Sequence, residues 1–440
     1  MTHKAGTGFP QKKDAKLVVL LTGASGFIGR YLARALVASQ HKVICVSRHP
    51  RTTSHPPVRT IAADFTRDFD IEDWLPRVRD VDVAINAVGI IRERGAQTFE
   101  AIHERAPAAL FAACAASKVR LVVQISALGA DEHARSRYHL SKKIADDFLC
   151  RLPVHSAIVQ PSLVYGPGGT SARLFNTLAI LPLIGLPGNG DQRIQPVHID
   201  DVVAAILALL EQPPPSGTRV ALTGPEPTTL RSFLAALRRA MGLPPPHFLP
   251  IPTRLMRAGA SVASRLPGSL LDEETLQMLE RGNTASPQQI TALLGRAPRA
   301  PDRFIAQRHA RAERFQAQLN WLLPLLRLSI ALVWIVTGIV SFGLYPVADS
   351  YALLARVGIT GALAPVMLYG AAALDLAFGI ATIALRRRRL LWLAQIAVIV
   401  FYSLIISWRL PEFWLHPYGP LLKNIPMLAA IFLLLELEAR

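Results

Sequence analysis

The last 120 residues limit most strongly what this chain can become. Leu328 to Leu344 carries no charge and, extended back past Arg327 to Leu322, is 23 residues long. Val357 to Leu385 is interrupted only by Asp375, and Leu390 to Trp408 has no charged residue. A helix needs about 20 apolar residues to cross a hydrocarbon core of roughly 30 Å, and in lipid the backbone must satisfy its own hydrogen bonds. These runs predict three membrane helices, and a weaker fourth ending near Leu437, where Lys423, Asn424 and Pro426 fall in the first turns. For that last segment an interfacial or buried helix stays open. The expected spans are 322–344, 362–385, 390–409 and 421–437.

A membrane tail explains the composition: 51% of residues are apolar and only 18% charged, which excludes disorder, collagen and coiled coil. Lys+Arg 48 against Asp+Glu 31 gives +17. The excess is scattered arginine with no aromatic-interleaved patch or zinc-finger spacing, so no nucleic-acid partner is expected; an anionic cofactor or anionic lipid headgroups account for it better. Cys45, Cys114 and Cys150 are far apart without metal-ligand spacing, and no metal site is expected. Arg386 to Arg389 lie between spans two and three, whereas the loops after spans one and three hold Arg356 and Arg409 as their clear basic residues. The four-Arg cluster is therefore expected in the cytoplasm, with the N-terminal domain and the C-terminus on the same side of a multi-pass cell membrane. Met1 to Lys16 lacks the apolar core of a signal peptide, which agrees.

The first 320 residues are long enough for a domain with a smaller lobe. Candidate strands at Lys16 to Leu21, Lys42 to Val46, Val58 to Ala62, Val81 to Asn86, Leu121 to Ser126 and His155 to Gln160 alternate with helical patterns, the sign of βαβ units and a doubly wound α/β Rossmann sheet. A Pro- and Gly-rich stretch follows, with helices expected at Asp200 to Leu210, Leu230 to Met241 and Asp272 to Arg281. The division is 16–297 for the dinucleotide domain and its substrate lobe, 298–320 for a linker, and 321–440 for the membrane part.

Lys16 to Thr22 runs into Gly23, Gly26 and Gly29 and then a helical pattern. In that context Gly23 permits the tight turn, Gly26 lets a pyrophosphate approach the backbone, and Gly29 lets helix and strand pack closely, while N–H groups at the helix start receive phosphates. At the end of the second strand an NAD-selective site would place Asp or Glu; Ser47, Arg48 and Arg51 stand there instead. NADP(H) is therefore expected, with Arg48 paired to a 2′-phosphate and NAD(H) as the alternative. Asp64 is placed to meet the adenine amino group, and Asn86-Ala87-Val88-Gly89 to end a strand at the cofactor crevice; both could equally be turn residues.

Thr22-Gly-Ala-Ser-Gly-Phe-Ile-Gly29, Pro161-Ser-Leu-Val-Tyr-Gly-Pro167, Gln195-Pro-Val-His-Ile-Asp-Asp-Val202 and Leu222-Thr-Gly-Pro-Glu226 resemble successive landmarks of the extended and atypical short-chain dehydrogenase/reductases. The resemblance is to the NAD-dependent epimerase/dehydratase-like branch that includes the NADPH-binding accessory subunit of complex I. Residues from about Trp321 onward resemble a DoxX-like membrane domain. The resemblance implies a cofactor set of Gly23, Ser25, Gly26, Phe27, Ile28, Gly29, Ser47, Arg48, Asp64, Asn86, Ala87, Val88, Gly89, Tyr138, Lys142 and Pro161. It makes Tyr138 the acid/base, Lys142 the group that lowers its pKa, and Ser126 the holder of a substrate oxygen. Tyr138 and Lys142 are four residues apart, hence one turn apart on one helix face. Ser126 and Tyr138 are closer in sequence than in typical extended enzymes. His139 and His133 read as surface residues, and His198, Asp200 and Asp201 as a helix cap.

The leading expectation is a membrane-anchored NADP(H)-dependent oxidoreductase or isomerase acting on an unknown small-molecule or lipid-like substrate at the bilayer. The rival is a non-catalytic NADPH-binding module that stabilises or senses a membrane complex; a homo-oligomer is a further partner left open. Asp375, costly in lipid unless paired, protonated or facing a cavity, serves either function or helix packing.

Overall fold

The computed structural model describes residues 16–48, 58–263 and 273–438, which form two units, Met1–Arg314 and Phe315–Arg440. In the first, seven parallel strands build one sheet: β1 (Val18–Thr22), β2 (Lys42–Ser47), β3 (Val58–Ala62), β4 (Val83–Asn86), β5 (Leu121–Ile125), β6 (Ser156–Pro161) and β7 (Thr218–Leu222), in the order β7-β6-β5-β4-β1-β2-β3. All five residues of β5 and all six of β6 are buried, as central strands of a sheet covered on both faces are. The seventh strand was missed in the sequence: it follows Pro213 to Pro215 and contains Arg219, so it lacks an apolar run.

Helices α1 (Phe27–Ala38), α2 (Ala106–Ala116), α3 (Arg137–Arg151) and α4 (Ile199–Glu211) pack on the sheet. Leu32, Leu36, Val202, Ile206 and Leu209 form one core layer with Val19, Leu21 and Val123. On the other face Leu110, Phe111, Ala145 and Leu149 pack with Trp74, Leu20 and Val122. The strand order reverses between β1 and β4, so their carboxyl ends open a crevice of the kind in which doubly wound sheets bind ligands.

The lobe holds more strand than its composition suggested, in short pairs: Val164–Tyr165 with Val197–His198, Leu183–Pro187 with His247–Ile251, and Arg193–Ile194 with Thr228–Thr229. It also contains α5 (Leu230–Ala240), α6 (Glu273–Arg281) and α7 (Gln288–Leu294). His198 caps α4 by accepting from the Asp200 N–H. Asp201 has another partner: fully buried, it accepts from the Arg296 guanidinium at 2.6 Å and the Arg299 N–H at 2.7 Å, fastening the basic connector to the domain.

Where a linker at 298–320 was expected, Gln307 already begins the helix α8 (Gln307–Ile339), and the unit boundary falls within it. The second unit continues with α9 (Leu363–Ala384), α10 (Arg389–Arg409) and α11 (Asn424–Glu438). Among the described residues, three helices are long and apolar enough to cross a membrane, with mean hydropathies of 2.1, 1.8 and 2.3. The fourth, α11, has 15 residues, short of the roughly 20 a span needs. Gly338 and Gly379 let α8 and α9 touch: a Cβ at Gly338 would stand 2.9 Å from the Ala372 carbonyl, and one at Gly379 3.0 Å from that of Ala331. Arg327 pairs with Glu438, and Arg388 lies 3.9 Å from the same carboxylate, so the four-Arg cluster, the C-terminal end of α11 and this part of α8 share one end of the bundle. Asp375 is 7% exposed and turns inward.

Replacing Asp201 by Asn leaves the Arg296 guanidinium without its carboxylate. Urea unfolding of the detergent-solubilised protein should show a loss of about 1–3 kcal/mol in the N-terminal transition, with faster trypsin cleavage at Arg296.

Candidate functional site

The site begins at the turn after β1. Gly23 has φ +66°, and a Cβ there would lie 2.6 Å from the Ala87 carbonyl group. A Cβ on Gly29 would lie 2.1 Å from the Gly23 oxygen. Only glycine allows this contact, which brings the first turn of α1 down onto the strand end. Gly26 is the N-cap of α1; no side chain caps it and no acidic residue occupies the first turn. Ser25 and Gly26 are exposed, and the first N–H groups of a helix lack partners within it, which suits this turn to phosphate. Phe27 and Ile28 begin the helix, and the Phe27 ring lies where a Cβ on Gly169 would come within 2.9 Å. Arg30 and Tyr31 donate to the carbonyls of Gly168 and Pro167, tying the start of the lobe to α1.

A polar ladder crosses the strand ends beneath this turn. Thr22 Oγ1 donates to Asn86 Oδ1 at 2.6 Å, and Asn86 Nδ2 donates to Gln124 Oε1 at 2.8 Å. Asn86 is 1% exposed and also accepts from the Val88 N–H, so it shapes the Ala87-Val88-Gly89 bend from below. Ser47 ends β2, and Arg48 follows it, exposed. Arg51 lies outside the described residues. Burial raises the Asp64 pKa, but hydrogen bonds from the Thr66 N–H and hydroxyl and the charges of Arg48 and Arg67 outweigh it and hold the carboxyl below its usual range. Asp64 thus closes a turn beside Arg48. Pro161 ends β6, its carbonyl accepting from the Leu128 N–H.

Helix α3 carries the chemistry. Ser136 caps it by accepting from the His139 N–H, and the Tyr138 N–H donates to Glu274 Oε1 at 3.0 Å, a link to α6. The half-buried Tyr138 ring meets Phe99, His103 and His139 edge-on. Burial, with the Asp146 charge added, pushes its phenol up to about 12. One turn on, Lys142 is 3% exposed and its ammonium donates to the carbonyls of Val88 (3.3 Å) and Ile125 (3.2 Å), at the ends of β4 and β5. A Cβ on Gly89 would come within 3.0 Å of Lys142 Nζ, so Gly89 makes room for it. Ser126 is turned away from the crevice: its hydroxyl donates to Asp146 Oδ2 at 2.5 Å.

Two residues absent from the sequence reading complete the arrangement. His103, on a π-helical turn (Glu100–Arg105), accepts from the Ile90 N–H at 3.0 Å through Nε2. Its Nδ1 therefore donates to Ser141 Oγ at 2.8 Å, and Ser141 donates to the Tyr138 carbonyl. This chain fixes the tautomer and fastens the Gly89 bend to α3. Asp146, fully buried, is the second. No spacing rule pointed to His103, whose contacts depend on how separate elements meet; Asp146 lies four residues after Lys142, but its bond to Ser126 likewise depends on the meeting of two elements. Beside the first turn of α3 a cavity of about 890 Å³ is lined in part by His133, Arg135, Ser136, His139 and Arg281. His139, expected at the surface, is 4% exposed and bonded to Ser136.

A parallel sheet with a glycine turn at its switch point and a Tyr-x-x-x-Lys helix at the adjoining strand ends is the arrangement of an NAD-binding domain like those of the epimerases and short-chain dehydrogenases. Residues 19–221 match the NAD dependent epimerase/dehydratase family, and residues 331–432 match the DoxX-like family; the chain carries one domain of each kind. It is 30% identical to the ceramide reductase of Caulobacter vibrioides over 204 residues, 46% of this chain and 63% of that one. It is 27% identical over 275 residues to the mitochondrial NADH dehydrogenase [ubiquinone] 1 alpha subcomplex subunit 9 of Arabidopsis thaliana, 59% of this chain and 66% of that one. The chain thus spans just under two thirds of either relative. A variant of the UDP-glucuronic acid 4-epimerase of Bacillus cereus, in complex with UDP-4-deoxy-4-fluoro-glucuronic acid and NAD, shares the fold at TM-score 0.51 and 18% identity, over 69% of this chain and 100% of that one.

Burial pushes the His103 pKa down to about 2, with the Lys142 charge adding to the effect. Between pH 6.5 and 2 the unfolded chain binds a proton that the folded one refuses, so stability is full above pH 6.5 and falls as pH drops, by up to about 1.4 kcal/mol per unit for this group. His103→Gln should roughly halve that acid limb in urea titrations at pH 7, 6 and 5, leaving the comparable slope from His139, which burial holds near 4.

Proposed function

We propose that this protein is a membrane-anchored NAD(P)H-dependent oxidoreductase that reduces a carbonyl on a lipid-like substrate. The observation that carries the reading is the placement of Tyr138 and Lys142 on one face of α3, with the Lys142 ammonium at the ends of β4 and β5 beside the glycine turn. Gly23, Gly26, Gly29 and the first N–H groups of α1 would hold the pyrophosphate, Asp64 and Arg48 the adenosine end, and Val88, Gly89 and Lys142 the nicotinamide end. When bound, the reduced nicotinamide supplies a hydride for a carbonyl carbon. Tyr138 gives its phenolic proton to the carbonyl oxygen, so carbonyl, hydride and proton leave as an alcohol. The Lys142 ammonium, one turn on, would be the cation that makes that proton available from a phenol that burial holds near 12.

Arg48, exposed at the end of β2 where an acidic residue would favour NAD, supports NADP(H). The relationship to a ceramide reductase supports a lipid-like substrate, as does the fusion to a unit with three spans. The Arg-rich end of the bundle supports a cytoplasmic position for the N-terminal domain.

A second reading, a nucleotide-binding module within a membrane complex, draws on the Ser126–Asp146 bond, which withdraws a hydroxyl from the crevice, and on the relationship to a complex I subunit.

Tyr138→Phe should lower NADPH-dependent reduction of a ceramide-class ketone in reconstituted vesicles at least about 100-fold, with nucleotide affinity within about twofold. Unchanged turnover would rule out Tyr138 as the acid; a wild type inert toward all lipid carbonyls would favour the module. Arg48→Ala should weaken NADPH binding about tenfold and leave NADH unchanged, the loss of one charged pair of about 1.4 kcal/mol.

A further inference from the structure

Tyr138, Lys142 and Asp146 follow one another at four-residue intervals, so three ionisable side chains stack along one face of α3. Asp146 has no exposed surface. One of its oxygens accepts from the Ser126 hydroxyl, and the other, Oδ1, has no hydrogen-bond partner among the described residues. An ionised carboxylate here places a negative charge one turn from a buried ammonium whose two hydrogen bonds go to neutral carbonyls. Neither charge is tolerable alone in such a place, and each makes the other affordable.

The other charged groups nearby have partners of their own. On α3 itself the neighbouring Asp147 is held by Lys143 and by Arg219 of β7, which directs the Arg219 guanidinium to Asp147. From β5 comes Ser126, a neutral donor. His103, packed near Lys142, stays neutral through its bond from Ile90. Tyr138, above Lys142, is a neutral phenol. Asp146 is therefore the anion that faces Lys142 from within this cluster.

We propose that Asp146 is a positioning residue that keeps Lys142 charged at neutral pH. The inference rests on the oxidoreductase reading for its catalytic consequence, while the charge state of Lys142 can be measured without any turnover. Burial drives Lys142 toward the neutral amine, and the Asp146 carboxylate opposes it. Burial likewise drives Asp146 toward the acid, and the Ser126 hydroxyl and Lys142 oppose that. Ser126 thus acts here as the donor that keeps Asp146 ionised.

The test uses the full chain in lipid vesicles. Competitive labelling with acetic anhydride across pH 5 to 10, read by peptide mass spectrometry, titrates Lys142 directly. In Asp146→Asn, which keeps the shape and a partner for Ser126, the labelling midpoint should fall by at least about one pH unit, a tenfold gain in amine fraction on the acid limb. Asp146→Glu should bring it back toward the wild-type value. Ceramide-ketone reduction by the Asn variant should drop about tenfold at pH 8 and stay within about twofold of wild type at pH 6. An unshifted Lys142 titration, or an activity loss equal at every pH, overturns the proposal. Should the Asn variant fail to fold, Asp146→Ser, smaller and still able to bond Ser126, gives the same readings. If the wild type turns nothing over, the oxidoreductase reading fails, while the labelling midpoint still decides the role of Asp146.

Discussion

Helix α1 can begin where it does because nothing stands between Gly29 and the Gly23 carbonyl. With a Cβ 2.1 Å from that oxygen, the first turn of the helix would be driven off the end of β1. The backbone N–H groups would then no longer gather at the switch point. Gly23 makes the matching contact on the other side, against the Ala87 carbonyl, so the turn is clamped between its own helix and the bend after β4. Everything chemical in the N-terminal unit is arranged around that clamp. The bend it touches is the one that receives Lys142.

From there the arrangement spreads by hydrogen bonds. Thr22, Asn86 and Gln124 fix the ends of three adjacent strands relative to one another. His103 and Ser141 bind the bend to α3. Glu274 binds the start of α3 to the lobe, and Arg281 adds a second tie through Asp131. A helix held at its start and along its first turns presents Tyr138 to the crevice with little freedom, which is what a proton donor requires. The membrane unit is built on another principle: close helix contact at Gly338 and Gly379, and charge pairing at one end through Arg327, Arg388 and Glu438.

Much of this could be read from the residues. The first six strands lie within two residues of their expected bounds because β-branched runs between turn residues have few other uses. The three longer apolar helices followed from length and the absence of charge. The Gly23-Gly26-Gly29 turn was legible because each glycine answers a steric demand. The fourth span was less so: α11 begins at Asn424, past Lys423, and ends within 15 residues. The direction of Ser126 was beyond reach, since its bond to Asp146 depends on how the end of β5 meets the third turn of α3. His103 was hidden for the same reason, and in addition by a π-helical turn, which shifts side chains off the ordinary helical period. Asp201, read as a cap, proved to hold the connector, a contact across nearly a hundred residues of sequence.

The central claim is that backbone amides at the Gly23–Gly29 turn hold a dinucleotide diphosphate. Gly26 is the position at which to ask, because it is exposed and a Cβ there would meet only the Gly23 oxygen, at 3.1 Å. Titration calorimetry of NADPH into the full-length protein and Gly26→Ala, with circular dichroism confirming an unchanged fold, is the direct measurement. One nucleotide per chain in the wild type and a loss of at least about tenfold in the variant, about 1.4 kcal/mol, is the predicted result. Equal affinity in both, or no binding of NADPH or NADH to the wild type, would contradict it.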